Sequence, residues 1–288
     1  MSPTALAAVF ALLAFAANSI LCRMALRQTH IDPASFTSVR LVAGATTLWI
    51  LVLLSKRRQS LGGNWGSAFA LLVYAVAFSF AYVAITAGTG ALLLFGAVQL
   101  IMISVGLVAG EKIDRRIAFG WALAVAGLVI LVIPGVSAAP ALQASLMLSA
   151  GVAWGVYSLR GRRSTDPLRD TAGNFIRAAP CALLISAILW SHSYFDVQGA
   201  VLAALSGSIA SGLGYAAWYA ALPRLSAITA ANLQLSVPVI AGLGGVALFG
   251  ESITVRLTAS TVLVLGGIAL ATRQSFQIAA RTREEARK

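Results

Sequence analysis

Two stretches of the chain, roughly 140 residues apart, carry nearly the same pattern. Gly110, Glu111, Ile113, Arg116 and Gly127 recur as Gly250, Glu251, Ile253, Arg256 and Gly267. Earlier positions pair in the same way: Arg23 with Arg160, Arg40 with Arg177, Phe78 with Tyr215 and Tyr82 with Tyr219. The chain therefore reads as two tandem copies of one unit, 1–137 and 138–273, followed by a basic tail, 274–288. Each copy holds five apolar spans. A unit with an odd number of spans crosses a membrane in the opposite sense the second time, and inverted repeats are a recurring construction of transporters.

The spans themselves are read from the spacing of charge. No charged residue falls between Gln59 and Gly110, nor between Ile117 and Leu159. A bilayer-crossing helix needs about 20 mainly apolar residues, so each run holds two spans. With 59% hydrophobic and 10% charged residues, the whole chain lies outside the range of soluble domains. Ten helices are predicted, at 4–27, 34–55, 65–86, 89–109, 116–134, 141–160, 172–191, 197–221, 226–248 and 255–273. The expected fold is an all-α membrane protein of ten transmembrane helices in two inverted five-helix repeats. The first apolar stretch lacks a basic leader and runs on past Asn18, so it reads as a retained helix and not a cleaved signal.

A net charge of +12 raises the question of nucleic acid, and the distribution of that charge answers it. With the amino terminus inside, Lys56, Arg57, Arg58, Lys112, Arg115, Arg116, Arg160, Arg162, Arg163, Arg169, Arg224 and the tail cations share one side. The opposite side receives Arg23, Arg27 and Arg256. That bias follows the positive-inside rule. It predicts a multi-pass protein of the bacterial inner (plasma) membrane with both termini cytoplasmic, partnered by the lipid bilayer and a small-molecule substrate, with no nucleic acid. A monomer or weak dimer is expected. The tail is predicted to be a solvated amphipathic or disordered end.

Catalytic and metal chemistry find no foothold. Cys22 and Cys181 lie in different spans without ligand or disulfide spacing, and His30 and His192 fall in separate loops. No nucleophile stands near a base. The expectation is a protein that is not an enzyme and has no cofactor or metal.

Each half ends on an apolar helix, then Gly-Glu-x-Ile, then a glycine-bearing helix: Gly110-Glu111-Lys112-Ile113 and Gly250-Glu251-Ser252-Ile253. Each opens on a helix bearing Ala-Ala-Asn18-Ser19 or Ala-Trp154-Gly155, followed by a helix with an Arg near its start. Taken in register over essentially the whole chain, this doubled set resembles the EamA family of the drug/metabolite transporter superfamily, and within it the YddG-type amino-acid exporters. The resemblance implies inverted 5+5 repeats, a central cavity among the third, fourth, eighth and ninth helices, and alternating access.

Candidate residues follow from polarity inside spans, where hydrocarbon penalises any unpaired group. Tyr74, Phe78 and Tyr82 share one helical face, and Ser211, Tyr215 and Tyr219 share the corresponding one. Tyr82 and Tyr219 are expected on opposite sides of one cavity. Phe78, Tyr82, Tyr215 and Tyr219 from these faces, with Asn18, Gln99, Trp154, Tyr157, Asn232 and Ser236, make up the predicted substrate-binding set. Asn232 and Ser236 are spaced to face one cavity, and Pro238 suggests a mid-helix hinge. Arg40 and Arg177 are expected near helix starts, snorkelling or anchoring through carbonyls, with a substrate-carboxylate role as the alternative. Glu111 and Glu251 are expected at helix starts, complementing the positive end.

None of the nine acidic residues falls mid-membrane, which disfavours a proton-coupled cation pump and favours a neutral or zwitterionic solute. The expected function is a secondary transporter exporting small metabolites, amino acids foremost, by alternating access. The alternatives are a drug, sugar or nucleotide-sugar carrier, or a non-transporting scaffold or receptor.

Overall fold

A computed structural model of the chain describes residues 2–55, 61–108, 115–133, 135, 138–162, 164–225 and 233–285, with backbone alone over 271–285. Helices follow one another in order: α1 Pro3–Gln28, α2 Pro33–Leu54, α3 Trp65–Tyr82, α4 Ala87–Val108, α5 Arg115–Val132, α6 Ala141–Gly161, α7 Pro167–Ile188, α8 Val197–Ala221, α9 Ser236–Phe249 and α10 Val255–Glu285. Among the described residues there is no strand. Seven of the helices are long and apolar enough to cross a membrane, and shorter apolar stretches run over Ala87–Met102, Ser236–Phe249 and Val255–Leu270. Leu54, Phe69, Leu142, Leu184 and Ile188 point outward and are exposed. An apolar exterior on that scale suits lipid and not water, so the chain is a multi-pass membrane protein.

Local chemistry marks the helix starts. Asp32 and Asp166 each precede a proline at the first helical position, and their carboxylates accept from Ala34 and Ser35 N–H in one case and Arg169 N–H in the other. A side-chain acceptor satisfies the orphan N–H groups of a first turn, and proline there has no N–H to lose. Asn64 caps α3 and Asp196 caps α8 in the same manner.

Helix packing relates the two halves. α3 packs on α6 as α1 packs on α8; α4 packs on α6 as α1 packs on α9; α3 meets α7 as α2 meets α8. The pairs α2 with α7, α4 with α9 and α5 with α10 each join a helix to the one five places on, and α4 also meets α1, α5 and α10.

Hydrogen bonds between loops define two ends of the bundle. At the near end, which holds the amino terminus, Arg224 reaches Thr4. The segment 62–64 docks on the start of α7 there: Gly63 N–H donates to Asp170, Asn64 N–H to Asn174, and Arg177 to the Gly62 carbonyl. At the far end Asp32 and Tyr194 exchange bonds, and Arg256 donates to the Ile130 carbonyl.

Several features of the helices depart from the sequence reading. α7 begins at Pro167 instead of 172, where Asp166 caps a first turn followed by Arg169 and Asp170. α10 continues to Glu285 instead of stopping near 273, because the Ala, Gln, Arg and Glu of the tail are strong helix formers. The regular part of α9 begins at Ser236, so Pro238 sits in its first turn and not mid-helix. N–H groups there have no intrahelical acceptor, so the ring removes no hydrogen bond of this helix. A further departure lies inside α8, where Ser206–Leu213 is wound as a π-helix.

Candidate functional site

The π segment sets up the centre of the molecule. In an α-helix, residues five apart point about 140° away from each other. In a π-helix the i→i+5 bonding brings such residues over one another. Ser206 and Ser211 therefore face the same way, and both are fully buried. The Ser206 hydroxyl donates to Asn18 Oδ1 at 2.6 Å, and Ser211 Oγ accepts from Arg40 Nε at 3.3 Å. Gly207 between them lets α8 approach α2 closely: a Cβ there would strike the Arg40 carbonyl.

Asn18 Nδ2 donates to the Tyr74 hydroxyl, and Arg40 Nη2 donates to the same oxygen, both at 3.0 Å. A buried polar chain thus runs Ser206–Asn18–Tyr74–Arg40–Ser211. It joins α1, α2 and α3 of the first half to α8 of the second. The Arg40 guanidinium also lies 5.2 Å from the Tyr74 ring centroid and 5.0 Å from that of Phe78.

Arg40 does not snorkel. It lies two turns into α2 with 1% exposure, directed inward by the serines and rings around it. A cation at mid-bilayer costs about 2.5–3.5 kcal/mol on the insertion scale. Two charge-assisted hydrogen bonds at about 1.5–3 kcal/mol each, with ring contacts of about 0.5–2 kcal/mol, offset that cost without a carboxylate. Its repeat mate Arg177 is placed differently: it is half-buried at the near end and donates to the carbonyls of Gly62 and Gly173 at 2.8 Å.

Beside the polar chain lies a cavity lined by Phe15, Asn18, Ser19, Tyr74, Phe78, Leu94, Phe95, Trp154 and Tyr215. Aromatic rings make most of its wall. Trp154 packs on Tyr74 at 5.0 Å, on Tyr215 at 4.9 Å and on Tyr157 at 5.5 Å, with Phe15 edge-on to Trp154 and Tyr215. The hydroxyls of Ser19 and Tyr215 are buried without a hydrogen-bond partner, as is Arg40 Nη1. The free space holds roughly one water molecule, so the rings must part before any solute enters.

At the far end this centre is sealed. Gly250 adopts φ +63°, the left-handed conformation that ends α9 and turns the chain back. Glu251 then reaches across to α4. One carboxylate oxygen accepts from Arg23 Nε at 3.0 Å, the other from Ala87 N–H at 2.9 Å, at the first residue of α4. A carboxylate is favoured at a helix start, where N–H groups and the dipole present positive charge. Arg23 also donates to the carbonyls of Tyr82 and Val83. Beneath this latch Tyr82 is fully buried, its ring edge-on to Phe78 at 4.7 Å and pressed against Gly90.

The near end has a cleft in the corresponding place, lined by Asn64, Ser67, Tyr157, Arg160, Gly161, Asp170, Asn174 and Tyr219 among others. Arg160, the repeat mate of Arg23, donates there to Ser67 Oγ and Asn64 Oδ1.

The predicted residues thus divide by place. Asn18, Phe78, Trp154 and Tyr215 line the central cavity. Tyr157 connects it to the near-end cleft. Tyr82 and Tyr219 do not share a cavity: one plugs the far end and the other stands in the near-end cleft, because α3 and α8 finish at opposite ends. Gln99 is buried in α4 with its amide nitrogen unpartnered, away from the cavity wall. Ser236 donates to the Leu233 carbonyl within its own turn, and Pro238 lines a lateral groove between α4, α9 and α10. Asn232 and Glu111 lie outside the described residues.

Sequence reasoning passed over Phe15, Ser206 and the Arg23 latch. Phe15 is indistinguishable in sequence from any apolar residue of α1. Ser206 becomes a partner of Asn18 only through the π-helical register, and the pairing of Arg23 with Glu251 spans most of the chain.

Residues 142–273 match the model of the EamA-like transporter family. An uncharacterized protein of Pseudomonas aeruginosa is 52% identical over 268 residues, covering 93% of each chain. An uncharacterized transporter of Archaeoglobus fulgidus is 25% identical over 257 residues, covering 85% of this chain and 90% of its own. A solved protein crystal structure superposes with a TM-score of 0.68 at 18% identity over 94% of this chain and 98% of its own, a likeness of fold alone. The chain thus carries an EamA-like transporter family domain over residues 142–273 of a multi-pass membrane protein.

Proposed function

We propose that the protein exports small metabolites, amino acids foremost, across the bacterial inner membrane by alternating access between two inverted five-helix repeats. The carrying observation is the central cavity, walled by α1, α3 and α4 of the first half and α6 and α8 of the second. A site shared between two repeats changes its exposure when one repeat rocks against the other. With both termini in the cytoplasm, as the charge bias directs, the far end is periplasmic. The Arg23–Glu251 latch then closes the outer gate, and the cleft around Arg160 and Tyr219 is the inner approach.

The wall chemistry favours a solute with an apolar or aromatic body and few polar groups. Trp154, Tyr215, Phe15 and Phe78 offer ring faces and edges, while Asn18 and the hydroxyls of Ser19 and Tyr215 fix orientation. A zwitterion carries no net charge through the membrane potential, so its concentration gradient alone drives export, each tenfold ratio supplying about 1.4 kcal/mol.

Counterflow in proteoliposomes tests the reading. Labelled neutral amino acids should accumulate transiently against internal unlabelled solute, with saturation, when both pH gradient and potential are collapsed. Counterflow of sugars or nucleotide sugars in place of amino acids would move the substrate class within the same mechanism. No counterflow of any solute would remove transport.

A further inference from the structure

We propose that Arg40 anchors the carboxylate of the transported solute, so that the substrate class is small carboxylates with an apolar or aromatic body. This rests on the transporter reading above and deepens it. The guanidinium is fully buried, and both ion pairs among the described residues, Arg23–Glu251 and Arg169–Asp166, lie elsewhere. Its neighbours are neutral: the hydroxyls of Tyr74 and Ser211, and the faces of Tyr74 and Phe78. Neutral contacts offset the burial of a cation but leave its charge unbalanced, and a carboxylate is the group whose two oxygens match the guanidinium fork.

The surrounding donors are arranged for the same guest. Arg40 Nη1 has no protein acceptor, and neither has the Tyr215 hydroxyl on the cavity wall. The Tyr74 oxygen already accepts from Asn18 and from Arg40, so its lone pairs are occupied and its own proton is what it has left to offer. The Tyr74 and Tyr215 hydroxyls lie on the cavity wall, and the Arg40 guanidinium stands directly behind Tyr74 and Phe78, within reach of a solute once those rings part, with no carboxylate from the described residues among them. Trp154 and Phe15, packed against Tyr74 and Tyr215, supply ring surface suited to an apolar body. Repeat symmetry sharpens the assignment. Arg177, in the equivalent position, is satisfied by two backbone carbonyls at the near end, so the two halves differ where a single asymmetric solute needs them to differ.

Three related solutes separate the carboxylate from the rest of the molecule: L-phenylalanine, 3-phenylpropionate (no amine) and phenethylamine (no carboxylate). Purified protein in detergent is melted with each, and each is offered for counterflow in proteoliposomes. The two carboxylates should raise the melting temperature and exchange, and phenethylamine should do neither. Arg40→Lys keeps the charge but not the fork, and should weaken the carboxylate effect by roughly tenfold to a hundredfold. Arg40→Met, an apolar replacement of similar length, should abolish it while the protein still folds; should that variant not fold, Arg40→Lys carries the comparison. Arg177→Lys should leave the preference for carboxylates unchanged. Counterflow that proceeds but treats phenethylamine like 3-phenylpropionate, or that is indifferent to Arg40→Lys, overturns the anchor and leaves the transporter intact. No counterflow of any solute, in this set or among the amino acids, removes the transporter and the anchor together.

Discussion

Replacing Glu251 by Gln tests the latch at the far end. The carboxylate joins α9 to α1 and α4 through Arg23 Nε at 3.0 Å and Ala87 N–H at 2.9 Å, with side-chain exposures of 9% and 11% for Arg23 and Glu251. Burial of that degree leaves little of the solvent screening that makes surface pairs worth almost nothing. Gln retains one carbonyl acceptor but loses the charge, and with it the ionic part of one bond and the match to the helix start. A charge-assisted hydrogen bond contributes about 1.5–3 kcal/mol and the helix-end term about 0.3–1 kcal/mol. Arg23 keeps the Tyr82 and Val83 carbonyls, so it is not orphaned. A loss of about 2 kcal/mol corresponds to about a thirtyfold shift away from the far-end-closed form. Spin labels at Val83 and Ile253, both exposed, report the separation across the seam in lipid nanodiscs. The variant should populate a longer distance that is minor in the parent, at normal abundance. An unchanged distance distribution in a stable Glu251→Gln protein would refute the latch.

Other perturbations follow from the packing. Tyr82→Ala removes a fully buried ring and should cost about 3–5 kcal/mol, seen as lost protein in membranes. Tyr219→Ala, in the near-end cleft, should leave abundance near normal and alter transport instead. Gly207→Ala places a Cβ against the Arg40 carbonyl and should lower the melting temperature by the equivalent of about 1–3 kcal/mol. At Gly266, with nothing within 4 Å of a built Cβ, the same change should be neutral or stabilise by up to about 1 kcal/mol through helix propensity. Single cysteines at Arg162 and His192, both exposed, should react with impermeant reagents from the cytoplasmic and periplasmic sides respectively; the same sidedness for both would contradict the predicted orientation.

Much of the architecture was legible because the membrane simplifies the code. Charge-free runs mark spans, since a charge is costly across the width of the bilayer. The start of α7 at the Asp166-Pro167 step was missed because Arg169 and Asp170 were read as lying before the span. The α10 extension was missed because polarity was read as an end to the span, whereas Ala, Arg and Glu end a span without ending a helix. Equivalence of Tyr82 and Tyr219 in the repeat was readable. They stand apart because the last turn of α3 and that of α8 lie at different ends of the bundle. Arg40 was recognisable as unusual, but its depth depends on Ser211, and Ser211 depends on a π-helical register that no local propensity announces. The roles of Arg23 and Glu251 were obscured for a different reason: each makes sense locally, as a span-end cation and a helix-start acid.

Alternating exposure of the central cavity is tested most directly at Ser19, buried in the wall between the two halves. A Ser19→Cys variant lacking Cys22 and Cys181 is exposed to an impermeant thiol reagent in right-side-out and in inverted vesicles. The account predicts reaction from both sides, slowed in each case by a transported amino acid. A cysteine that reacts from one side alone, or from neither, under conditions where the protein exchanges solute would contradict it.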